Sequence, residues 1–369
     1  MIIFFVLFHL LLSYIIYKYN YIYYKPLEYI DPDTSEKVDV HSLYPEFHSI
    51  DNLSFLRIFF GCLIMTVQRF LLNIFLAVML NIKLKIYMKK FKNMNTDPEE
   101  WKVVSNEIKF WTSMLFKLNM IKIVKKQRPY EEVYKKYLGE NYSFDPNEKY
   151  SLLISNHTGF YDVIMNMCVH SCGFMAKDET KKYPFVGKLA QGISCLFVKR
   201  ENKEDREKIF TQLEERQKNF YEGKYLAPLL LYPEGTTTNG KYLLKFKKGA
   251  FYHLLPIKPQ IILIEDNLNF SMAIGTSSAP FNYFRSLCYF GFNINLCELP
   301  VIKPTEYMWE HYSHLGQEKW EIFAEVTRKI MCEIGGLKPS DKTFRNNKYY
   351  ERALVKGVYV KEGESLIIS

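Results

Sequence analysis

Residues 150–162 read YSLLISNHTGFYD. The first six form a short apolar run ended by polar residues, the pattern of a strand buried on both faces. The chain then passes through Asn156, His157, Thr158 and Gly159 to Asp162. His157 and Asp162 are five positions apart, which on a regular helix separates them by about 140°. They meet only if His157 sits in the non-helical run-in and Asp162 on the first helical turn, a bend that Gly159 eases. Asp162 then accepts the Nδ1 proton, and Nε2 is left as a general base. The plain alternative is a strand-end histidine followed by a helix-capping aspartate.

The same alternation continues on either side. Residues 173–176, 194–198, 229–232 and 260–264 read as further short strands. Residues 202–221 read as a helix with apolar positions Ile209, Phe210, Leu213 and Phe220, an Asn202 N-cap and Gly223 beyond its end. Strands alternating with helices predict an α/β fold, a mostly parallel central sheet flanked by helices. Ligands in such sheets bind outside the carboxyl ends of the strands.

Three more polar blocks follow. Residues 192–200, GISCLFVKR, end a strand on Arg200, a side chain able to grip phosphate bidentately, against the alternative of a solvated surface charge. Residues 231–240, LYPEGTTTNG, offer Glu234, the permissive backbone of Gly235 and the hydroxyl of Thr236 for an oxyanion or phosphate, against that of an ordinary polar turn. A basic loop, KFKKGAF at 245–251, leads into an expected helix start, a place that favours anions. Residues 255–263, LPIKPQIIL, read as a rigid turn feeding a buried strand. Cys168, His170 and Cys172 are too closely spaced for a structural zinc site, and no metal is expected. No G-x-S-x-G, Walker loop or G-x-G-x-x-G occurs, which removes the commonest hydrolase, NTPase and dinucleotide readings.

Across all 369 residues, 48% are hydrophobic and 24% charged, which excludes disordered, collagen-like and coiled-coil chains. The net charge of +9 suits anionic lipid or phosphorylated ligands and is too dispersed to argue for nucleic acid. Seven irregularly spaced cysteines favour a reducing compartment over a disulfide framework.

The apolar residues concentrate near the N-terminus. Residues 1–17 read as an uncleaved membrane anchor, a cleaved signal being disfavoured because no Lys or Arg precedes the run. A second apolar stretch, 53–82, fits one tilted helix, a re-entrant hairpin or two interfacial helices, with Arg57 and Arg69 arguing against a simple deep span. Its flank of Lys83, Lys85, Lys89, Lys90 and Lys92 places the following domain on the cytoplasmic side. Residues 31–49 read as a loop. Residues 101–124 read as an amphipathic helix with a stripe of Ile108, Trp111, Met114, Leu115 and Leu118. The expected organisation is a membrane-anchoring region at 1–95, an amphipathic helical linker at 96–145, a catalytic domain at 146–345 and a tail at 346–369.

Taken together, NHTGFYD, GISCLFVKR, LYPEGTTTNGKYLLKFKKGAF and LLPIKP resemble, in order and spacing, the four motifs of the glycerolipid acyltransferases, the lysophosphatidic acid acyltransferase superfamily. The third block, and Glu298-Leu299-Pro300-Val301 further on, look most like the lysophosphatidylcholine and lysophosphatidylethanolamine acyltransferase branch. The resemblance covers residues 150–340. It implies transfer of an acyl group from acyl-CoA, as co-substrate and with no cofactor or metal, to a lysophospholipid hydroxyl at the endoplasmic reticulum membrane. It makes His157 the general base and Asp162 its brace. Arg200 and the Glu234-Gly235-Thr236 loop would hold the acceptor phosphate, with Asn156 and Gly192 beside them, and Pro256 would shape the acyl-donor side. The chain departs from the pattern at Tyr232, where Phe is usual, and at Lys258, where an apolar residue is usual. Two other readings stay open: an acyltransferase for glycerol 3-phosphate or 1-acylglycerol 3-phosphate, and a catalytically silent lipid-binding membrane protein. Head group, acyl-chain length, sn position and oligomeric state are not encoded in these motifs.

Overall fold

The computed structural model describes residues 7–11, 14–15, 28–30, 37–39, 60–61, 65–182, 186–198, 203–238, 240–264, 283, 286–288 and 291–344. Strands β1 (Glu28–Ile30) and β2 (Lys37–Asp39) form an isolated antiparallel pair. The helices are α1 (Val67–Lys90), α2 (Pro98–Leu118), α3 (Glu131–Leu138), α4 (Phe160–His170), α5 (Val186–Gly192), α6 (Lys203–Tyr221), α7 (Glu306–His311) and α8 (Lys319–Gly335). The remaining strands are β3 (Lys122–Lys125), β4 (Leu152–Ser155), β5 (Gly173–Lys177), β6 (Leu196–Val198), β7 (Leu229–Leu231), β8 (Tyr242–Leu243), β9 (Ile257–Ile264), β10 (Asn293–Glu298) and β11 (Lys338–Pro339).

Among the described residues, seven strands make the central sheet in the order β3-β10-β9-β4-β7-β5-β6. Every neighbouring pair is parallel except β9 and β10. The mostly parallel α/β expectation therefore holds. The strands are covered on both faces because their residues alternate between two cores. Leu152, Ile154, Leu229, Leu231, Ile257 and Ile261 pack with Phe323, Ile330 and Leu213 of α8 and α6. Leu153 and Leu230 pack with Leu80 and Leu84 of α1 and Val104 and Ile108 of α2. A third cluster joins Ile262, Ile294 and Leu296 to Tyr161, Ile164 and Met165 of α4.

The expected linker at 96–145 is instead part of the folded unit. Asp97 caps α2 by accepting from the Glu99 and Glu100 backbone N–H groups, and Pro98 takes the first helical position. The helix stops at Leu118, six residues short of the expected end. Asn119 turns its amide back onto the Leu115 carbonyl (2.7 Å), and Met120 takes a left-handed conformation (φ 55°). The alternating KIVK segment then becomes an edge strand on β10. The buried stripe of α2 is Val104, Ile108, Thr112 and Phe116, whereas Met114 faces outward. Helix α3 packs on α8. The expected loop at 31–49 contains β2, whose three-residue pairing is too short to show a period-2 pattern.

Of the first apolar run, residues 7–11 and 14–15 are described and helical, and the rest lies outside the described residues. Arg57 and residues 53–59 also lie outside them, as does the tail from 346 onward. Helix α1 has 24 residues and is long and apolar enough to cross a membrane. At about 1.5 Å per residue it reaches about 36 Å. Arg69, Asn73 and Asn81 are buried against the protein. Arg69 donates to the Leu287 carbonyl (3.2 Å), and Asn73 and Asn119 exchange amide hydrogen bonds (3.2 and 2.9 Å). Leu71, Leu72, Ile74, Phe75, Ile82 and Ile86 are exposed.

Candidate active site

The turn from β4 into α4 is organised by one carboxylate. Asp162, on the first turn of α4, is fully buried. Its Oδ2 accepts from the backbone N–H groups of Thr158 and Gly159, the latter at 2.9 Å, and its Oδ1 accepts from the Thr158 hydroxyl at 2.7 Å. These bonds cap the helix and shape the loop. The same Oδ2 lies 3.0 Å from His157 Nδ1. Surrounded by donors, Asp162 acts as acceptor, so Nδ1 carries the proton and Nε2 presents a lone pair. Aspartate cap and histidine brace are thus one and the same residue. The His157 side chain keeps 19% of its surface exposed.

The loop after β7 clamps the backbone of His157 from both sides. The His157 N–H donates to Glu234 Oε1 (3.1 Å), and its carbonyl accepts from Thr238 N–H (2.8 Å). Glu234 Oε2 accepts from Leu244 N–H (3.0 Å), which ties β8 to the same point. Glu234 is fully buried, and burial pushes its carboxyl up to about 8 against the lowering effect of its two N–H donors. Tyr232 stacks face to face on the imidazole, with ring centroids 3.8 Å apart and planes 12° from parallel. The Phe174 ring also lies parallel to that of Tyr232, with centroids 6.1 Å apart. The Tyr232 hydroxyl accepts from Asn166 Nδ2 (3.3 Å), which also donates to the Asp162 carbonyl (2.8 Å). Gln260 donates to Asn166 Oδ1, and His170 Nε2–H donates to Gln260 Oε1 at 2.9 Å.

His157 and Tyr232 line a cavity of about 690 Å³. Its walls are largely apolar: Val163 and Met167 from α4, Leu189 from α5 with Ile193 just after it, and Ile209, Phe210 and Leu213 from α6. Thr180, Lys247 and Lys248 supply the other polar side chains. Cys195 also lines it, but burial pushes its thiol up to about 11, which leaves it protonated and a poor nucleophile. Gly235 lines the cavity in a left-handed conformation (φ 71°), where any side chain would collide with the Lys247 ammonium group.

His157, Asp162, Glu234 and Gly235 are therefore brought together, and Thr236 is half-buried next to Gly235. Four expected contacts fall elsewhere or change character. Glu234 spends both oxygens on backbone N–H groups, so it positions the loop instead of reaching for ligand or for Arg200. Asn156 is fully buried, and its amide exchanges hydrogen bonds with the Ile262 backbone (2.9 and 2.7 Å), extending the sheet by side-chain mimicry. Gly192 closes α5 where α1 comes nearest. A side chain there would meet Leu84 at 2.8 Å, so the glycine serves helix packing. Pro256 lies at the opposite end of the sheet. Its carbonyl accepts from the Ser151 N–H and hydroxyl (2.8 Å each), just before β4 begins, and it lines no part of the cavity. Arg200 lies outside the described residues. The helix expected after the basic loop is a three-residue turn, Lys248–Ala250. Cys168, His170 and Cys172 turn to three different partners: Ser113, Gln260 and the Asn166 carbonyl.

Asn166, Thr238 and the platform role of Tyr232 were not anticipated. Asn166 stands four residues after Asp162, one turn along the same helical face, which is the signal that sequence offered.

Residues 131–263 match the family model described as Acyltransferase. The chain is 31% identical over 219 residues to the lysophospholipid acyltransferase LPEAT1 of Arabidopsis thaliana, covering 58% of this chain and 52% of that protein. It is 28% identical over 205 residues to the human lysophosphatidylcholine acyltransferase 1, covering 54% and 36%. It is 28% identical over 167 residues to LPEAT2 of Arabidopsis thaliana, covering 45% and 30%. The chain thus spans about half the length of the first of these relatives and about a third of the other two. The crystal structure of the 1-acyl-sn-glycerophosphate (LPA) acyltransferase from Thermotoga maritima aligns with 74% of this chain and 100% of its own, at 18% identity and a TM-score of 0.40.

Proposed function

We propose, from the match of residues 131–263 to the acyltransferase family model, that this chain is a membrane-bound, acyl-CoA-dependent acyltransferase. It transfers a fatty acyl group to the free hydroxyl of a lysophospholipid, lysophosphatidylcholine or lysophosphatidylethanolamine, in phospholipid synthesis or remodelling. The observation that carries the proposal is a braced imidazole facing a largely apolar cavity. An alcohol is a poor nucleophile at neutral pH. His157 Nε2 takes the hydroxyl proton as the oxygen attacks the thioester carbonyl. The C–S bond breaks as the new C–O bond forms, and the proton passes from the imidazolium to the departing CoA thiolate. General-base assistance of this kind contributes about 10²–10⁴-fold. Asp162 fixes the tautomer and stabilises the imidazolium. Holding two amphiphiles in reach of each other supplies a further share. No step requires a resident cofactor or metal.

The cavity suits an acyl chain, and its α5 wall rests on α1 through Gly192 and Leu84. Helix α1 turns leucine, isoleucine and phenylalanine outward and Arg69 and Asn73 inward, the arrangement expected of a helix bordered by lipid. We therefore place α1 in the membrane with the catalytic domain on the cytoplasmic face of the endoplasmic reticulum, and assign residues 1–17 to a further anchor. The lysine-rich end of α1 supports that orientation.

The test is a panel of lysolipids offered to the full-length protein in nanodiscs with labelled acyl-CoA. Labelled diacyl phospholipid and free CoA should form together with lysophosphatidylcholine or lysophosphatidylethanolamine. Reaction with lysophosphatidate or glycerol 3-phosphate alone would move the acceptor to the head-group-free class. Binding of lysolipid without release of CoA would identify a silent lipid-binding protein.

A further inference from the structure

We propose that Tyr232 is a positioning residue for His157: its ring is an aromatic platform that stabilises the imidazolium formed when the base takes its proton. The proposal rests on the acyl-transfer reading for its catalytic meaning and on geometry for its substance. The two rings are stacked at 3.8 Å and 12°, so the negative face of the phenol lies directly against the imidazole. A neutral imidazole gains little from such a face, whereas an imidazolium gains a cation–π attraction in a largely apolar cavity.

The platform is held on three sides. Phe174 packs parallel to the ring, Asn166 fixes the hydroxyl, and the Gln260–His170 pair fixes the orientation of the Asn166 amide. With Gln260 accepting at Oε1, His170 must carry its proton on Nε2, so every donor and acceptor from His170 to Tyr232 has a defined role. Other ionisable groups face His157 from the surrounding elements. Asp162 of α4 favours the imidazolium, as does Glu234 once ionised, and Lys247 of the loop after β8 opposes it.

The experiment follows the His157 imidazole directly by NMR in full-length protein in nanodiscs, with ¹³C-labelled histidine and a His157→Gln variant to assign the resonance. Four proteins are titrated: wild type, Tyr232→Phe, Tyr232→Leu, and a form with pentafluorophenylalanine at position 232. The fluorinated ring keeps the shape of phenylalanine and reverses the charge on its face, so it decides the matter even if Tyr232→Leu fails to fold. The Tyr232→Phe midpoint should stay close to wild type. Those of the fluorinated and Leu forms should fall by about 0.5–1 pH unit, the size expected of a cation–π contact. In the acyl-transfer assay the acidic limb of kcat/KM should move to lower pH by the same amount, with kcat reduced about 3–10-fold.

An unchanged midpoint in the fluorinated form overturns the proposal, and so does a loss of rate with no movement of the limb, the mark of a purely packing role. If wild-type protein transfers no acyl group, the functional reading fails while the titration still decides whether the ring supports the charge.

Discussion

The two ends of the central sheet are closed in different ways. At the amino ends of β4 and β9 the closure is mainly backbone. Ser151 N–H donates to the Pro256 carbonyl, and Ile257 and Ile302 exchange N–H···O bonds at 3.0 and 2.8 Å. At the carboxyl ends of β4 and β7 it relies on buried side chains holding backbone. Asp162 gathers Thr158 and Gly159, Glu234 gathers His157 and Leu244, and Asn156 gathers Ile262. Backbone pairing needs only strand register, whereas side-chain clamps need particular residues at particular places. The lesson is that a recurrent-looking motif has a different meaning at each end. PEGT and NHTGFYD sit where side chains are required, and LLPIKP sits where only a rigid turn is.

Substitutions should separate the ends in graded steps. His157→Ala removes the base and should lower kcat by about 10²–10⁴-fold, measured as CoA release, with lysolipid binding retained. Asp162→Asn keeps the size but offers an amide where donors converge. It should cost about 10²-fold or more in kcat by releasing the tautomer, and it should also lower thermal stability because at least one N–H donor loses its partner.

Glu234→Gln can accept only one of two backbone N–H groups and should reduce kcat about 10-fold, with little change in KM for acceptor. This variant also has a pH signature. The folded carboxyl is raised from the usual range to about 8. Its contribution to stability is therefore complete below the unfolded carboxyl range and is lost as pH rises through about 8. Wild-type unfolding midpoints should fall relative to Glu234→Gln between pH 5 and 8, by at most about 1.4 kcal/mol per pH unit. Parallel pH curves would show that the carboxyl stays ionised. Smallest of all, Pro256→Ala at the backbone-closed end should leave kcat and acyl-donor KM within about twofold and change stability by about 1 kcal/mol or less. A donor-specific KM rise in that variant would break the contrast between the ends.

Helices α1 and α8 show how legibility varies within one chain. Helix α8 buries Phe323, Val326 and Ile330 against the sheet while Lys319 and Glu333 stay toward the surface, the ordinary rule for a helix in water. Helix α1 departs from it, burying Arg69, Asn73 and Asn81 beside Leu80 and Leu84 while Leu71, Leu72 and Phe75 are exposed. Its sequence announces an apolar helix but not which face meets protein, because inward Arg69 and Asn73 bond to the distant Leu287 carbonyl and Asn119. Strands β4, β5, β6, β7 and β9 were readable from short apolar runs. Strand β3 was not, since KIVK follows a helix with no Pro or Gly between them and its partner β10 lies far along the chain. Sequence did not show that Asn156 and Glu234 bond to backbone, because a polar residue at a strand end has the same local pattern whether it faces a ligand or a backbone.

Local sequence determined the strand–helix alternation, the parallel sheet and the five-residue spacing that lets a capping aspartate turn back onto His157. All of these depend on contacts among near neighbours and on the periodicity of apolar residues. Tertiary structure decided the rest: the clamp of Glu234 and Thr238 on the His157 backbone, the stack of Tyr232 on its ring, the cavity between α4, α5 and α6, and the removal of Pro256 to the far end. Each joins segments tens of residues apart, and a side chain's partner across such a distance is chosen by sheet order and packing, which no local pattern carries.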